Sequence, residues 1–133
     1  MENYRSPPVG NQITAVFCPV PCTWMDPDFL VDQLRKALVD ERFNILSYHC
    51  ENFEPPDENS VAGCTITATL SESHAAIHTY PEHQSVYFNL YSCRGPTDGR
   101  ETFGVLRRIF LEAGAKMIES DERTIRVSKL DDT

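Results

Sequence analysis

The chain has 133 residues, of which 41% are hydrophobic and 24% charged, and its 20 acidic residues outnumber 12 lysines and arginines to give a net charge of −8. This composition predicts one globular domain over residues 1–133 and excludes a disordered or low-complexity protein. The negative charge disfavours nucleic-acid binding, and no apolar run reaches the roughly 20 residues that cross a bilayer.

The first half of the chain reads as strand, helix, strand, strand. Asp26 and Pro27 predict a helix start, because aspartate caps free backbone N–H groups and proline fits the first turn. An acidic, proline-rich loop containing Phe53 is expected before the last strand of this half. The predicted elements are a strand over 13–18, a helix over 27–41, and strands over 43–50 and 61–70.

The second half reads as strand, strand, helix and two short strands. Gly114 closes the predicted helix. The predicted elements are strands over 74–80 and 85–92, a helix marked by Phe103 to Ala113, and strands over 115–118 and 124–127. The two similar β-α-β-β-like halves meet near Ser73. We therefore predict an α+β fold in which an antiparallel sheet carries its helices on one face.

Cysteines and histidines give no metal site. The five cysteines are an odd number without a paired framework, and they are expected to be reduced thiols. His74 and His78 lie on a predicted strand, where four residues span roughly 13 Å, too far for one zinc ion. The polar segment before Gln12 has no apolar signal core, so a soluble, cytoplasmic protein is expected.

Between two predicted strands, Ser71 to His74 form a break without glycine, proline or asparagine, which predicts local strain. The surrounding run Leu70–Glu82 resembles the self-cleavage segment of bacterial and archaeal S-adenosylmethionine decarboxylase proenzymes. The shared pattern is Glu-Ser-His-x-x-Ile-His-Thr-aromatic-Pro-Glu, here residues 72–82. Ser92-Cys93 falls where that family has Thr-Cys-Gly, and the similarity extends over nearly the whole chain.

The resemblance implies that the chain is a proenzyme that cleaves itself between Glu72 and Ser73. The Ser73 hydroxyl would attack the Glu72 carbonyl, and elimination and hydrolysis would leave a pyruvoyl group at residue 73. His78 matches the family's processing histidine, and imidazole suits proton transfer near neutral pH. Thr65 falls at the family's processing serine, and its extra methyl group would slow that step.

The same resemblance implies the chemistry of the mature enzyme. The pyruvoyl group replaces pyridoxal phosphate, forms a Schiff base with the substrate amine and accepts electrons as carbon dioxide leaves. Cys93 aligns with the proton-donating cysteine. Phe53 resembles the aromatic that stacks on adenine, and Glu82 matches an acid near the site. No metal is implied, and the expected assembly is a dimer of processed α/β protomers.

Several residues depart from the family pattern. Tyr80 replaces a tryptophan, Asn89 replaces an aspartate, and Arg94 separates Cys93 from the following glycine. The leading interpretation is S-adenosylmethionine decarboxylation for polyamine, including spermidine, synthesis. Two alternatives stay open: a pyruvoyl decarboxylase of arginine or ornithine, and an inactive homologue that regulates an active enzyme.

Overall fold

Two helices pack on one face of a six-stranded antiparallel sheet in the computed structural model, which describes residues 9–55 and 57–128. The strand order across the sheet is β2-β3-β4-β5-β1-β6. The elements are β1 (Val9–Cys18), α1 (Pro27–Asp40), β2 (Ile45–Asn52), β3 (Cys64–Leu70), β4 (Ser73–Tyr80), β5 (Ser85–Ser92), α2 (Arg100–Glu112) and β6 (Lys116–Arg126), with 3-10 helices at Cys22–Trp24 and Pro81–His83. The predicted α+β class is confirmed.

Side chains alternate between the two faces of the sheet, as the two-residue period of a strand requires. One face packs against the helices and forms the core, with Ile66, Ile77 and Phe88 at its centre. The opposite face, called the open face here, has no helix over it among the described residues. Its members on the three central strands include Thr65, Thr67, Thr69, His74, Ala76, His78, Tyr87, Asn89 and Tyr91.

The two helices begin for different reasons. The Asp26 side chain accepts a hydrogen bond from the Phe29 N–H at 3.0 Å, so α1 has the predicted cap. The residue before α2 is Gly99, which has no capping side chain. The Glu41 carboxylate accepts instead from the N–H groups of Gly99 and Thr102, at 2.8 and 2.7 Å. The end of α1 therefore fixes the start of α2.

The two short strands predicted over 115–118 and 124–127 are wrong as separate elements, because β6 runs without a break through both. The middle of β6 is charged and has no alternating apolar residues, so the sequence pattern predicted two short strands with a gap between them. Backbone pairing with β1 extends from Val9 opposite Arg126 to Cys18 opposite Lys116, with a register shift beside Val16. Charged residues suit an edge strand, which faces solvent on one side.

Other element bounds moved by a few residues. β1 begins at Val9 rather than at residue 13, β2 at Ile45 rather than 43, and β3 at Cys64 rather than 61. α2 begins at Arg100, one turn before its first apolar residue, and β4 includes Ser73. These ends depend on backbone pairing and on caps from distant residues, which a local pattern does not contain.

Candidate active site

The turn between β3 and β4 consists of two residues, Ser71 and Glu72, because Leu70 and Ser73 already pair across it. Glu72 has a φ of 59°, in the left-handed region that side chains other than Gly and Asn rarely adopt. That conformation costs an ordinary L residue about 1–2 kcal/mol. The peptide bond before Ser73 therefore follows a strained residue.

Ser73 and Cys93 form a buried pair at the end of the sheet. The Ser73 Oγ accepts a hydrogen bond from the Cys93 backbone N–H at 3.0 Å and donates to the Cys93 Sγ at 3.6 Å. Each residue is only 7% exposed, and the Cys93 thiol lies 3.9 Å from the Ser71 carbonyl oxygen. An N–H directed at a serine oxygen stabilises the negative charge that develops when the oxygen attacks a carbonyl.

Thr65 and His78 form a second pair on the open face. The Thr65 Oγ1 and the His78 Nδ1 are 3.0 Å apart, and the imidazole stacks on Tyr87 with ring centroids at 5.7 Å. Burial lowers the pKa of His78 below its ordinary value of 6.5. The imidazole is therefore mostly neutral at pH 7 and able to accept a proton.

A pocket of about 540 Å³ opens beside this second pair. Its walls bring together four residues singled out from the sequence: Phe53, Thr65, His78 and Glu82. Phe53 is 51% exposed, so one surface of its ring is available for stacking. Tyr80 and Glu54 also line the pocket. The cavity thus has an aromatic wall, two carboxylates and a neutral imidazole.

The sequence-predicted residues therefore fall into two groups within one chain. Ser73 and Cys93 lie at the predicted cleavage site and are called the cleavage group here. The pocket group is Phe53, Thr65, His78 and Glu82. Ser73 faces the helices, whereas His78 lies on the open face five residues, or about 17 Å, farther along β4. The odd spacing of Ser73 and His78 was a signal for opposite faces.

Sequence reasoning missed the side chains that support the cleavage turn. The Asn44 amide donates to the Ser71 Oγ at 3.2 Å. The Arg94 Nε lies 2.7 Å from the Asp98 Oδ2. In the sequence, Arg94 is recognisable only as a departure from the family pattern. The spacing of Arg94 and Asp98, four residues apart with opposite charge, was the available signal. Tyr91 pairs with His74 across β4 and β5, with ring centroids 6.0 Å apart. Burial, and then the charges of Cys93 and Glu72, raise the pKa of Tyr91.

Within residues 9–55 and 57–128, no cluster of three histidine, cysteine or acidic side chains is arranged to hold a metal ion. All five cysteines are outside disulfides. None of the helices in the same described ranges is long and apolar enough to span a membrane.

Comparisons with known proteins give a consistent result. The sequence model of a family described as S-adenosylmethionine decarboxylase matches residues 20–123. The S-adenosylmethionine decarboxylase proenzyme of Brevibacillus brevis is 33% identical over 73 residues, covering 55% of this chain and 50% of that protein. The proenzyme of Acidithiobacillus ferrooxidans is 29% identical over 103 residues, which are 77% of this chain and 73% of that one.

The fold is similar to a solved structure, the adenosylmethionine decarboxylase from Aquifex aeolicus. The TM-score is 0.71 at 20% identity, covering 91% of this chain and 92% of the other. At 20% identity, this similarity shows a shared fold and nothing more specific. The sequence alignment to the Brevibacillus protein spans only half of that protein's length.

Proposed function

The chain belongs to the S-adenosylmethionine decarboxylase family, and on that premise we propose that it decarboxylates S-adenosylmethionine with a pyruvoyl group made from its own Ser73. One observation carries the proposal. The buried Ser73 hydroxyl, held by the Cys93 N–H at 3.0 Å, directly follows the strained residue Glu72. A nucleophile, a hydrogen-bond donor and a strained peptide are what self-cleavage needs.

In the proposed self-cleavage, the Ser73 Oγ attacks the Glu72 carbonyl carbon. The new C–O bond replaces the peptide C–N bond, and the hydroxyl proton passes to the Ser73 nitrogen. Loss of the Ser73 Cα proton then breaks the Cβ–Oγ bond and releases Glu72 as a carboxylate. Water displaces ammonia from the remaining dehydroalanine, so the products are Met1–Glu72 and a pyruvoyl-bearing fragment ending at Thr133.

The surroundings of Ser73 fit the group that this reaction would leave. Ser73 is 7% exposed, and the pyruvoyl group is no larger than a serine residue, since the Ser73 Oγ leaves with Glu72 when the Cβ–Oγ bond breaks. When formed, the pyruvoyl group supplies the electron sink for decarboxylation. The Cys93 Sγ lies 3.6 Å from the Ser73 Oγ, so the thiol is close enough to deliver a proton to a substrate carbon bound at residue 73.

The pocket group supports S-adenosylmethionine as the substrate. The half-exposed Phe53 ring offers a stacking surface for adenine, and the 540 Å³ pocket is within the size range of small-molecule sites. Glu54 and Glu82 line the same pocket, and the chain's net charge of −8 favours a cationic sulfonium substrate. The same carboxylates suit the distal cation of arginine or ornithine, which the kinetic test below separates.

We propose that the working unit is a dimer in which the pocket group of one chain faces the cleavage group of the other. One observation supports this: Ser73 and His78 lie on opposite faces of the sheet, so a single chain does not bring the two groups together. A histidine about 17 Å away cannot move a proton at Ser73 within one rigid chain.

Processing is tested by intact-mass measurement. Wild-type protein should separate into the two fragments, and Ser73→Ala should remain whole and inactive. A wild-type chain that stays intact after prolonged incubation would refute self-cleavage. Processed protein that lacks turnover of all three candidate substrates would support the regulatory alternative.

The substrate is tested by kcat/KM for S-adenosylmethionine, arginine and ornithine. Phe53→Ala should reduce kcat/KM for S-adenosylmethionine about five-fold or more, for a stacking loss of about 1 kcal/mol, and should leave self-cleavage unchanged. Glu82→Gln is the matched control for the alternative substrates, since it removes charge and keeps the ring. Turnover of arginine or ornithine alone by processed wild type would refute the proposed substrate.

The dimer is tested by co-expressing Ser73→Ala with His78→Ala. If the two groups meet between chains, the His78→Ala chain should be cleaved, because its partner supplies the histidine. Each variant alone should stay whole. A co-expressed pair without any cleavage, beside a wild type that cleaves, would refute the arrangement between chains.

A further inference from the structure

Arg94, which directly follows Cys93, joins the end of β5 to the end of α1. Its Nη1 donates to the Arg42 carbonyl oxygen at 2.7 Å, and its Nη2 donates to the Glu41 carbonyl oxygen at 2.9 Å. The guanidinium also donates to both Asp98 carboxylate oxygens, at 2.7 and 3.2 Å. The charged side chains of Arg94 and Asp98 are only 23% and 20% exposed. This is a shielded, multiply bonded pair, unlike an ordinary surface ion pair.

The ring of Phe43 completes this fixation. The central guanidinium carbon of Arg94 lies 3.7 Å from the Phe43 ring centroid. The guanidinium is planar, so stacking on the ring and donating hydrogen bonds from its edges together fix its orientation. A lysine ammonium in the same place would be free to rotate.

Both backbone neighbours of Cys93 are held by this network. The Ser92 hydroxyl donates to Asp98 and accepts a hydrogen bond from the Arg94 backbone N–H at 3.1 Å. With Ser92 and Arg94 both fixed, the direction of the Cys93 N–H between them is fixed as well. That N–H is the group that donates to the Ser73 Oγ at 3.0 Å.

The segment that receives Arg94 also holds the other side of the cleavage turn. Residues 41–44 supply the two carbonyl acceptors for Arg94, and Asn44 of the same segment donates to the Ser71 Oγ at 3.2 Å. Arg42 within it has a φ of 66°. One short segment therefore links the Cys93 side of the site to the Ser71 side.

We propose that Arg94 is a positioning residue for self-cleavage: it holds the Cys93 N–H on the Ser73 Oγ and ties that contact to the Ser71–Glu72 turn. The inference rests on the proposed function. Hydrogen bonds weaken steeply with distance and angle, so a small shift of residues 92–94 is enough to lower the rate.

The test measures self-cleavage of newly made chains by pulse-chase in a cell-free synthesis system, with intact-mass detection. Arg94→Ala should slow cleavage about ten-fold or more. Arg94→Lys should slow cleavage several-fold, because lysine keeps the positive charge but lacks the planar, forked set of N–H donors. The matched control is Arg100→Ala, which removes a more exposed two-bond pair with Glu122, at 2.7 and 2.9 Å. This variant leaves in place the Asn11 amide, which donates to Glu122 and to the Asp98 carbonyl oxygen. Cleavage in the control should stay within two-fold of wild type.

Equal rates in Arg94→Ala and Arg100→Ala would overturn the inference, and so would Arg94→Lys cleaving as fast as wild type. Unfolding temperatures are recorded for all variants. If Arg94→Ala does not fold, Asp98→Asn takes its place, because it removes the paired charge and conserves the side-chain size. It should slow cleavage several-fold, and a wild-type rate in this variant would overturn the inference.

A second readout separates this inference from the proposed function. Iodoacetamide labelling of Cys93, located by peptide mass, is measured in a Ser73→Ala background, where no chain can cleave. Arg94→Ala should label Cys93 several-fold faster than Arg100→Ala, since the thiol is 7% exposed in the intact network. If wild type never cleaves, the proposed function fails while faster labelling still supports the positioning role. Unchanged labelling would overturn that role in either case.

Discussion

Relaxing Glu72 should slow self-cleavage, because the strain at this residue is part of the driving force. Glu72 has a φ of 59°, and holding an L residue there costs about 1–2 kcal/mol. Glycine adopts the same φ freely. If the strain is released when the peptide bond becomes an ester, Glu72→Gly lowers the energy of the uncleaved chain alone. The first-order rate constant should then fall about 5- to 30-fold.

The free energy of unfolding should change by less than the cleavage barrier. Relief of about 1–2 kcal/mol of strain is offset by about 0.5–1 kcal/mol of extra backbone entropy that glycine gives the unfolded chain. The assay is cleavage followed by intact mass after synthesis of the uncleaved chain, with unfolding by urea measured in a Ser73→Ala background.

Gln84→Gly is the matched control, since Gln84 has a φ of 52° at the other end of β4. It should change the free energy of unfolding by a similar amount and leave the cleavage rate at the wild-type value. The role of strain would be refuted if Glu72→Gly cleaved at the wild-type rate, or if both glycine variants slowed cleavage equally.

Three further predictions concern the remaining site residues. Burial lowers the pKa of His78 below 6.5, so the imidazole stays neutral into mild acid. The cleavage rate should therefore be constant above about pH 6.5 and fall only below it. A rate that has already fallen to half its maximum above about pH 6.5 would contradict this assignment. The Thr65 Oγ1 lies 3.0 Å from the His78 Nδ1, and Thr65→Ser keeps this hydroxyl while removing one methyl group beside the ring. The variant should cleave faster than wild type. An unchanged or slower rate in the same mass assay would count against a processing role for Thr65. Cys93→Ala keeps the backbone N–H on Ser73 and should still cleave, but its kcat for carbon dioxide release should fall at least ten-fold; full kcat would show that the thiol is not the proton donor.

The candidate site shows where a linear pattern stops being informative. The run from residue 70 to 82 was readable as one motif, because the cleaved bond and its nucleophile are adjacent in the chain. The motif also contains His78, five residues after Ser73. In a strand, an odd spacing of five places the two side chains on opposite faces.

By itself the sequence determined the features that depend on a few neighbouring residues. Asp26 and Pro27 start α1 through a cap within one turn, the alternation of apolar residues defines the central strands, and the break at Ser71–Glu72 requires strain because it lacks glycine. These follow from backbone sterics and side-chain period, which act over at most a turn or a strand.

Only the tertiary structure decided the features that depend on distant partners. The cap of α2 comes from Glu41, 58 residues before Gly99, and Arg94 reaches carbonyl oxygens 52 and 53 residues away. β6 continues through its charged middle because β1 supplies backbone hydrogen bonds along its length. Each contact joins residues that the chain brings together only after the helices pack on the sheet, so no local pattern encodes it.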